Sequence, residues 1–167
     1  LQERRHTLHA RIVAVLEALP PERLTEQVDR LAHHAVRGEV WDKALAYCRQ
    51  AGARAVERAA FREAEAAFAQ ALGALGHLPE HPDTHVQAID LRLDLRSVLA
   101  PLAEYERLFT HLQEAEALAE ALGDQRRLGQ IAVATGWSFR VRGDYDRTIA
   151  ASQRALAIAE GLGDVSL

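Results

Sequence analysis

One feature constrains the fold of this chain more than any other: a stretch of 13 residues occurs twice, at an offset of 40. Residues 112–124 align with residues 152–164, and eight of the 13 positions are identical. The preceding turns align as well, since residues 103–107 match residues 143–147 in character. A fixed period of this length is the signature of a repeat architecture. Two copies of a 40-residue unit therefore fill roughly residues 85–164.

Composition indicates that the repeated elements are helices. The 167 residues include 32 Ala and 23 Leu, both favourable helix formers, whereas aromatic residues make up only 5%. Each copy predicts a helix, a tight turn and a second helix that ends in the same Leu-Gly-Asp motif. We expect Gly123 and Gly163 to form left-handed C-caps, and Asp124 to act as the N-cap of the next helix. The predicted fold class is all-α.

Helical periodicity divides residues 1–76 into four further helices. The first is predicted to end before Pro20 and Pro21. The second runs from about Glu22 to Arg37, the third starts near Trp41 and carries a stripe of small residues, and the fourth covers roughly 61–75. The apolar face predicted for the first helix consists of Leu8, Ile12, Val15, Leu16 and Leu19. The small residues of the third helix are Ala44, Ala51, Gly52, Ala55 and Ala59.

The segment around residues 76–84 is the best internal boundary, because its glycine and two prolines oppose helix formation. We therefore predict N-terminal helical repeats over 1–76, a loop over 77–84, and repeats over 85–124 and 125–164. Residues 165–167 would begin a further, truncated repeat, and the chain is expected to be a piece of a longer protein. About eight helices joined by short turns predict an α-solenoid of antiparallel helix pairs.

The last repeat resembles the tetratricopeptide family in detail. That pattern has a small residue in the first helix, an aromatic three residues later, a Gly-Asp-Tyr-like turn, and small residues in the second helix. Here these positions are occupied by Gly136, Phe139, Gly143 to Tyr145, Thr148 and Ala155. The preceding repeat is degenerate, with Arg96 and Leu108 at small positions, and the N-terminal repeats match more weakly. The resemblance implies a right-handed solenoid.

Four sequence segments make the family resemblance more specific: residues 31–38, 41–45, 88–92 and 114–124. They are similar to the helical repeat region of bacterial multidomain AAA-type ATPase signalling proteins, which carry adenylate/guanylate cyclase domains or DNA-binding domains. The resemblance implies a non-catalytic segment that mediates protein–protein or interdomain contacts. An alternative is a sensor segment that binds a peptide or small ligand in its concave groove and controls a cyclase or transcriptional output domain.

The family's groove positions lie on the first helix of each pair. In the last repeat they correspond to Gln130, Val133, Trp137, Arg140 and Val141. In the preceding repeat they correspond to Asp90, Leu93 and Ser97, with Arg92 and Arg96 near the rim. Trp and Arg are enriched at binding hot spots, so Trp137 and Arg140 are the leading binding residues. The alternative is that Trp137 packs beneath a following repeat.

Charge and motif content argue against several other functions. The net charge of −4 gives no bulk attraction for nucleic acid or anionic lipid. Lys43, the single lysine, does not follow a glycine-rich loop, so no phosphate-binding loop is predicted. We expect no enzyme activity in this segment, no metal and no cofactor, since no nucleophile elbow or metal motif is present. A lone Cys48, without a signal peptide or an 18-residue apolar run, is typical of a cytoplasmic protein.

Two groups of histidines have both a functional and a structural interpretation. His77, His81 and His85 have ligand-like spacing, but Pro79 and Pro82 favour a solvated loop over a metal site. His33 and His34 are adjacent, so packing or capping explains them better than catalysis.

Residues 61–124 carry a net charge of about −8, with four basic and twelve acidic side chains. This surplus is either solvated helix surface or an acidic docking face for a basic neighbour. Finally, the last helix is expected to expose Ile149, Leu156, Ile158 and Ala159, which predicts weak homo-association through an end.

Overall fold

The computed structural model describes residues 2–164 and is all-α over that range. It contains nine helices there, one more than expected, and no strand among the described residues. The chain divides into two compact units after Glu80, inside the segment predicted to be a loop. The predicted start of a further repeat at 165–167 lies outside the described residues. None of the helices in residues 2–164 combines the length and the apolar character needed to cross a bilayer.

The first unit consists of five helices. They are α1 (Gln2–Glu17), α2 (Pro21–Glu26), α3 (Val28–Arg37), α4 (Trp41–Glu57) and α5 (Phe61–Leu75). Helix α3 packs on α1, α2 and α4, and α4 packs on α5. Helices α3 and α4 therefore each contact the helix that precedes them and the one that follows them in sequence.

Two expectations for this unit are wrong in part. In α1, which packs on α3, Leu16 is buried as predicted, but Leu8 and Val15 are 57% and 68% exposed, and Val13, outside the predicted face, is buried instead. The predicted second helix is also interrupted, since the amide of Gln27 bonds to the carbonyl of Leu24, three residues earlier, at 3.0 Å. This tight turn separates α2 from α3.

The stripe of small residues on α4 is confirmed, except that Ala59 lies beyond the end of the helix. The stripe allows α5 to approach closely. A Cβ atom on Gly52 would lie 2.6 Å from Cε1 of Phe68, which is too close for any carbon contact. Glycine at this position therefore makes room for a buried aromatic ring on the neighbouring helix.

The second unit consists of α6 (Pro82–Leu99), α7 (Tyr105–Leu122), α8 (Gln125–Val141) and α9 (Tyr145–Leu162). Consecutive helices pack on each other, and α6 also contacts α8. Its core includes five buried side chains from α6, α7 and α8: Ile89, Ala115, Ala119, Leu128 and Ile131. The small residues Ala115 and Ala155, which the repeat alignment makes equivalent, are both buried as expected for helix contacts.

The same two-residue turn ends six of the helices. The first residue is left-handed, with φ between 54° and 77°. Where the second residue is the N-cap of the next helix, its φ lies between −90° and −78° and its ψ between 52° and 86°. The amide of the second residue then bonds to a carbonyl five residues earlier, as in Asp124 to Ala119 at 3.0 Å and Asp144 to Phe139 at 3.0 Å. This is the Schellman pattern of helix termination. The left-handed positions are Glu39, Ala59, Ala103, Gly123, Gly143 and Gly163.

These turns are 20 residues apart within each unit, at 39 and 59 and then at 103, 123, 143 and 163. The structural period is therefore half of the 40-residue sequence repeat. The predicted glycine caps at 123 and 163 are confirmed. The carboxylates of Asp124 and Asp144 accept hydrogen bonds from the amides of Arg127 and Arg147, so both act as N-caps.

Three of the turns place a residue with a Cβ atom in the left-handed region, which costs roughly 1–2 kcal/mol relative to a right-handed residue. We expect Ala103→Gly to raise the free energy of unfolding by about 0.5–1 kcal/mol, because glycine adopts this φ without strain. The control is Ala100→Gly, at φ −64° on the same loop, which should lower stability. Chemical denaturation of both variants measures the difference, and equal effects would contradict the assignment.

Candidate functional site

The five predicted groove residues of the last repeat lie along one side of α8. Gln130, Arg140 and both valines are exposed, with Val133 at 43% and Val141 at 41%. Trp137 lies between them in the helical register and is half-buried. The remaining sides of α8 carry buried residues that face the helices packed on either side. We call these five residues the α8 stripe.

Trp137 contacts α7 rather than standing free on α8. Its ring centroid is 6.4 Å from that of Tyr105, the first residue of α7. The indole is therefore supported from one side and exposed on the other, an arrangement typical of an aromatic anchor. Arg140 lies one turn further along the same side and is exposed.

The residues predicted on α6 behave differently from the α8 stripe. Asp90 forms an ion pair with Arg127, Arg92 donates to Glu114 at 2.9 Å, and Leu93 packs on the core. The hydroxyl of Ser97 donates to the carbonyl of Asp94 at 2.7 Å. Most of the binding residues predicted on α6 therefore stabilise the fold. Arg96 is the exposed cation among them.

Arg127 links α6 to the start of α8. Its guanidinium donates to both oxygens of Asp90, at 2.9 and 3.1 Å, and to Oδ2 of Asp124 at 2.7 Å. Hydrogen bonds to the two carboxylates raise the pKa of Arg127. Burial raises the pKa of Asp124, but the hydrogen bonds and charge of Arg127 outweigh burial and hold that pKa below its ordinary value. This bidentate pair fixes α8, and with it the α8 stripe, against α6.

Part of the acidic surplus of residues 61–124 is matched inside the second unit. Arg154 of α9 pairs with Glu116 and Glu120 of α7, and Arg142 pairs with Glu106 at 2.6 Å. Together with Arg127, these arginines of the basic C-terminal segment pair with acidic side chains of α6 and α7. This pairing favours the interpretation as helix surface over an unpaired acidic docking face.

A concave surface lies on the side of α8 opposite the α8 stripe, and the sequence prediction missed it. It is a groove of about 330 Å³ between α7 and α9, with α8 as its floor. Two phenylalanine rings, Phe109 and Phe139, meet there with centroids 5.5 Å apart. Their positions, 109 and 139, belong to different repeats, so no single-repeat pattern pairs them. We call this surface the α7–α9 groove.

The three histidines predicted to have ligand-like spacing have different structural surroundings. The ring of His77 stacks on Trp41 at 3.9 Å, His81 caps α6, and His85 lies within α6. Among residues 2–164, no group of three or more His, Cys, Asp or Glu side chains is placed to hold a metal ion. Cys48 is buried, and burial raises the pKa of its thiol to about 11, so little reactive thiolate forms at neutral pH.

His9, His33 and His34 form a cluster that the sequence did not predict. The Nδ1 atoms of His9 and His34 are 2.7 Å apart, and the ring of His33 lies beside both. One ring must donate and the other must accept, so at least one of the two imidazoles is neutral. The adjacent residues 33 and 34 both lie beside His9 of α1, which packs on α3.

A comparison of the chain with protein-family models gives no match, and a comparison with curated proteins gives no significant match. The resemblance to tetratricopeptide repeats therefore stays a prediction based on the sequence motifs of this chain.

The histidine cluster predicts a loss of stability in mild acid. Partial burial is the main cause that holds the pKa of His9 and of His34 below its ordinary value of 6.5. The next cause is a neighbouring imidazole, His33 for His9 and His9 for His34, and nearby arginines act in the same direction. The unfolded chain therefore binds more protons as the pH falls through about 6.5, and folding becomes less favourable. We expect the free energy of unfolding to fall between pH 7.5 and pH 5.

His34→Gln should reduce this pH dependence, because it removes one of the two coupled imidazoles. His85→Gln, which removes a histidine outside the cluster, is the matched control. Denaturant unfolding at several pH values measures the slope for each protein. An unchanged slope in His34→Gln would refute the role of the cluster.

Proposed function

We propose that the chain is a non-catalytic segment of tetratricopeptide-like helical repeats, with the right-handed solenoid winding of that family. It mediates protein–protein or interdomain contacts within a larger bacterial signalling or regulatory ATPase. The observation that carries the proposal is the α8 stripe, an exposed surface with a supported aromatic ring and an arginine on a fixed helix. A cytoplasmic location belongs to the same proposal and is supported by the single, buried thiol.

Several contacts support the family assignment. A Cβ atom on Gly136 would lie 3.4 Å from that of Ala151, so the small position of the first helix faces the second. Phe139 lies between α7 and α9, and Ala155 is buried. The 40-residue period is longer than the ~34 residues of typical tetratricopeptide repeats, and the helices of 17 and 18 residues account for the difference.

The chemistry of the stripe indicates the kind of partner. Trp137 offers a rigid apolar surface, and Arg140 offers a planar fork of donors that can hold a carboxylate through two hydrogen bonds. The two valines extend the apolar area on either side. We infer that the stripe binds a protein segment with an apolar side chain and an acidic side chain about one helical turn apart.

The test uses a peptide selected from a random library for binding to the intact chain. We expect Trp137→Ala/Arg140→Ala to weaken binding by at least about 2 kcal/mol, the loss typical of a hot spot. Helical content should stay unchanged, because both side chains lie outside the core. Calorimetry measures binding, and circular dichroism measures folding.

The matched control is Arg147→Ala, which removes an exposed arginine of α9 from the groove on the other side of α8. It should leave affinity for the peptide unchanged. If the double variant binds the peptide as tightly as the unaltered chain, the stripe is not the binding surface. If it melts early while its folded fraction still binds, Trp137 is a packing residue and the assignment is wrong.

The outer side of α9 supports a second, weaker interaction. Three of its large apolar side chains are exposed and share one side of the helix at 100° per residue: Tyr145, Ile149 and Leu156, at 67%, 56% and 60%. Ile149 and Leu156 belong to the set expected from sequence, whereas Ile158 and Ala159 are half-buried. We propose that this side of α9 allows weak homo-association, since contiguous apolar surface promotes contact between copies.

We expect the average mass in light scattering to rise with protein concentration. Ile149→Glu/Leu156→Glu should abolish the rise, because two charges would be brought into the contact. Ala157→Glu, on another exposed side of α9, is the control and should leave association intact. A strict monomer at several hundred micromolar would remove this proposal.

A further inference from the structure

The α7–α9 groove has the size and lining of a small-molecule site. Its volume of about 330 Å³ lies at the lower end of the range for ligand pockets, roughly 300–1,000 Å³. All three helices contribute to it. The apolar part of the lining consists of Phe109, Ala132, Phe139, Ala150 and Ala151. Such pockets combine a mostly apolar wall with a few polar groups that orient the ligand.

The aromatic end of the groove is held rigidly. The guanidinium of Arg142 lies 5.5 Å from the centroid of Phe109, and that of Arg147 lies 5.5 Å from the centroid of Phe139. With the two phenylalanine rings in contact, these four side chains form a continuous stack across α7, α8 and α9. Cation–π contacts at both ends of the ring pair fix the shape of this wall before any ligand enters.

The polar groups of the groove give it a net positive charge. Its charged side chains are Arg147, Arg154 and Glu116, and Glu116 already accepts a hydrogen bond from Arg154. Arg147 is different, because its side chain is 70% exposed and its carboxylate contact, to Asp144, is long at 3.5 Å. Asp144 also accepts a hydrogen bond from the amide of Arg147 at the helix N-terminus. The guanidinium of Arg147 thus has donors to offer an incoming anion.

We propose that the α7–α9 groove binds a small amphipathic anion, with an aromatic or alkyl body against Phe109 and Phe139 and a single carboxylate or sulfonate at Arg147. The site is separate from the α8 stripe. Residues 132, 135 and 139 of the groove and residues 130, 133 and 137 of the stripe lie on opposite sides of α8 at 100° per residue. The proposal therefore stands or fails independently of the protein-binding function.

The first test uses the fluorescent aromatic sulfonate 1-anilinonaphthalene-8-sulfonate with the intact chain. We expect saturable binding at one site, with affinity lowered at least tenfold by Ala150→Phe, which fills the groove from an exposed position. The control is Ala157→Phe, the same change on an exposed part of α9 outside the groove. Equal loss in both variants, or no loss in Ala150→Phe, would overturn the proposal.

The second test examines the charge. Arg147→Gln should also lower the affinity for the dye at least tenfold, whereas Arg140→Gln on the opposite side of α8 should not. Because the Arg147 side chain is largely exposed, this variant tests the site even if Ala150→Phe fails to fold. Unchanged affinity in Arg147→Gln would overturn the anionic requirement and with it the proposal.

The third test separates the groove from the exposed side of α9, which also attracts apolar dyes. Leu156→Ser should leave the affinity unchanged, since Leu156 does not line the groove. Decanoate should displace the dye, and uncharged 1-decanol at the same concentration should not. Loss of dye binding in Leu156→Ser, or equal displacement by the alcohol, would place the dye on α9 and refute the site.

Discussion

The backbone conformation of a two-residue turn determines where α4, α5, α7, α8 and α9 begin. A left-handed residue reverses the chain, and the amide of the residue after it bonds to a carbonyl five residues earlier. Because this turn recurs every 20 residues within each unit, successive helices start in equivalent positions. The contacts between helices, the burial of Ala115 and Ala155, and the exposure of the α8 stripe all follow from that register.

Sequence predicted the turns well where glycine marks them and poorly where it does not. Gly123 and Gly163 identify their own caps, because glycine alone adopts the left-handed conformation without strain. Ala59 was instead assigned to the helical stripe of α4, since alanine is the best helix former and nothing local opposes it. The break at Gln27 was missed for a related reason, as it depends on a backbone hydrogen bond with no side-chain signal.

The candidate surfaces could likewise be predicted only where they lie on a single helix. The α8 stripe could be read from sequence because its residues recur at helical spacing on one element. The α7–α9 groove and the cluster of His9 with His34 join residues 30 and 25 positions apart on different helices. Their proximity depends on the angle at which the helices pack, and the periodicity of the sequence does not predict that angle. Asp90 was predicted to line a groove because the sequence around it does not show its ion pair with Arg127, which lies 37 positions away.

The packing of each helix mainly on its neighbours in sequence has a consequence for how the chain acquires its structure. In the second unit the helices pack mainly on their neighbours in sequence, with further contacts from α6 to α8 and from α7 to α9, so most interacting residues are separated by short lengths of chain. Short separations mean low contact order, and helical proteins of this kind fold in microseconds to milliseconds. Each unit also has its own interior. During synthesis, the N-terminal unit can therefore begin to pack once two successive helices have left the ribosome, before the second unit is made.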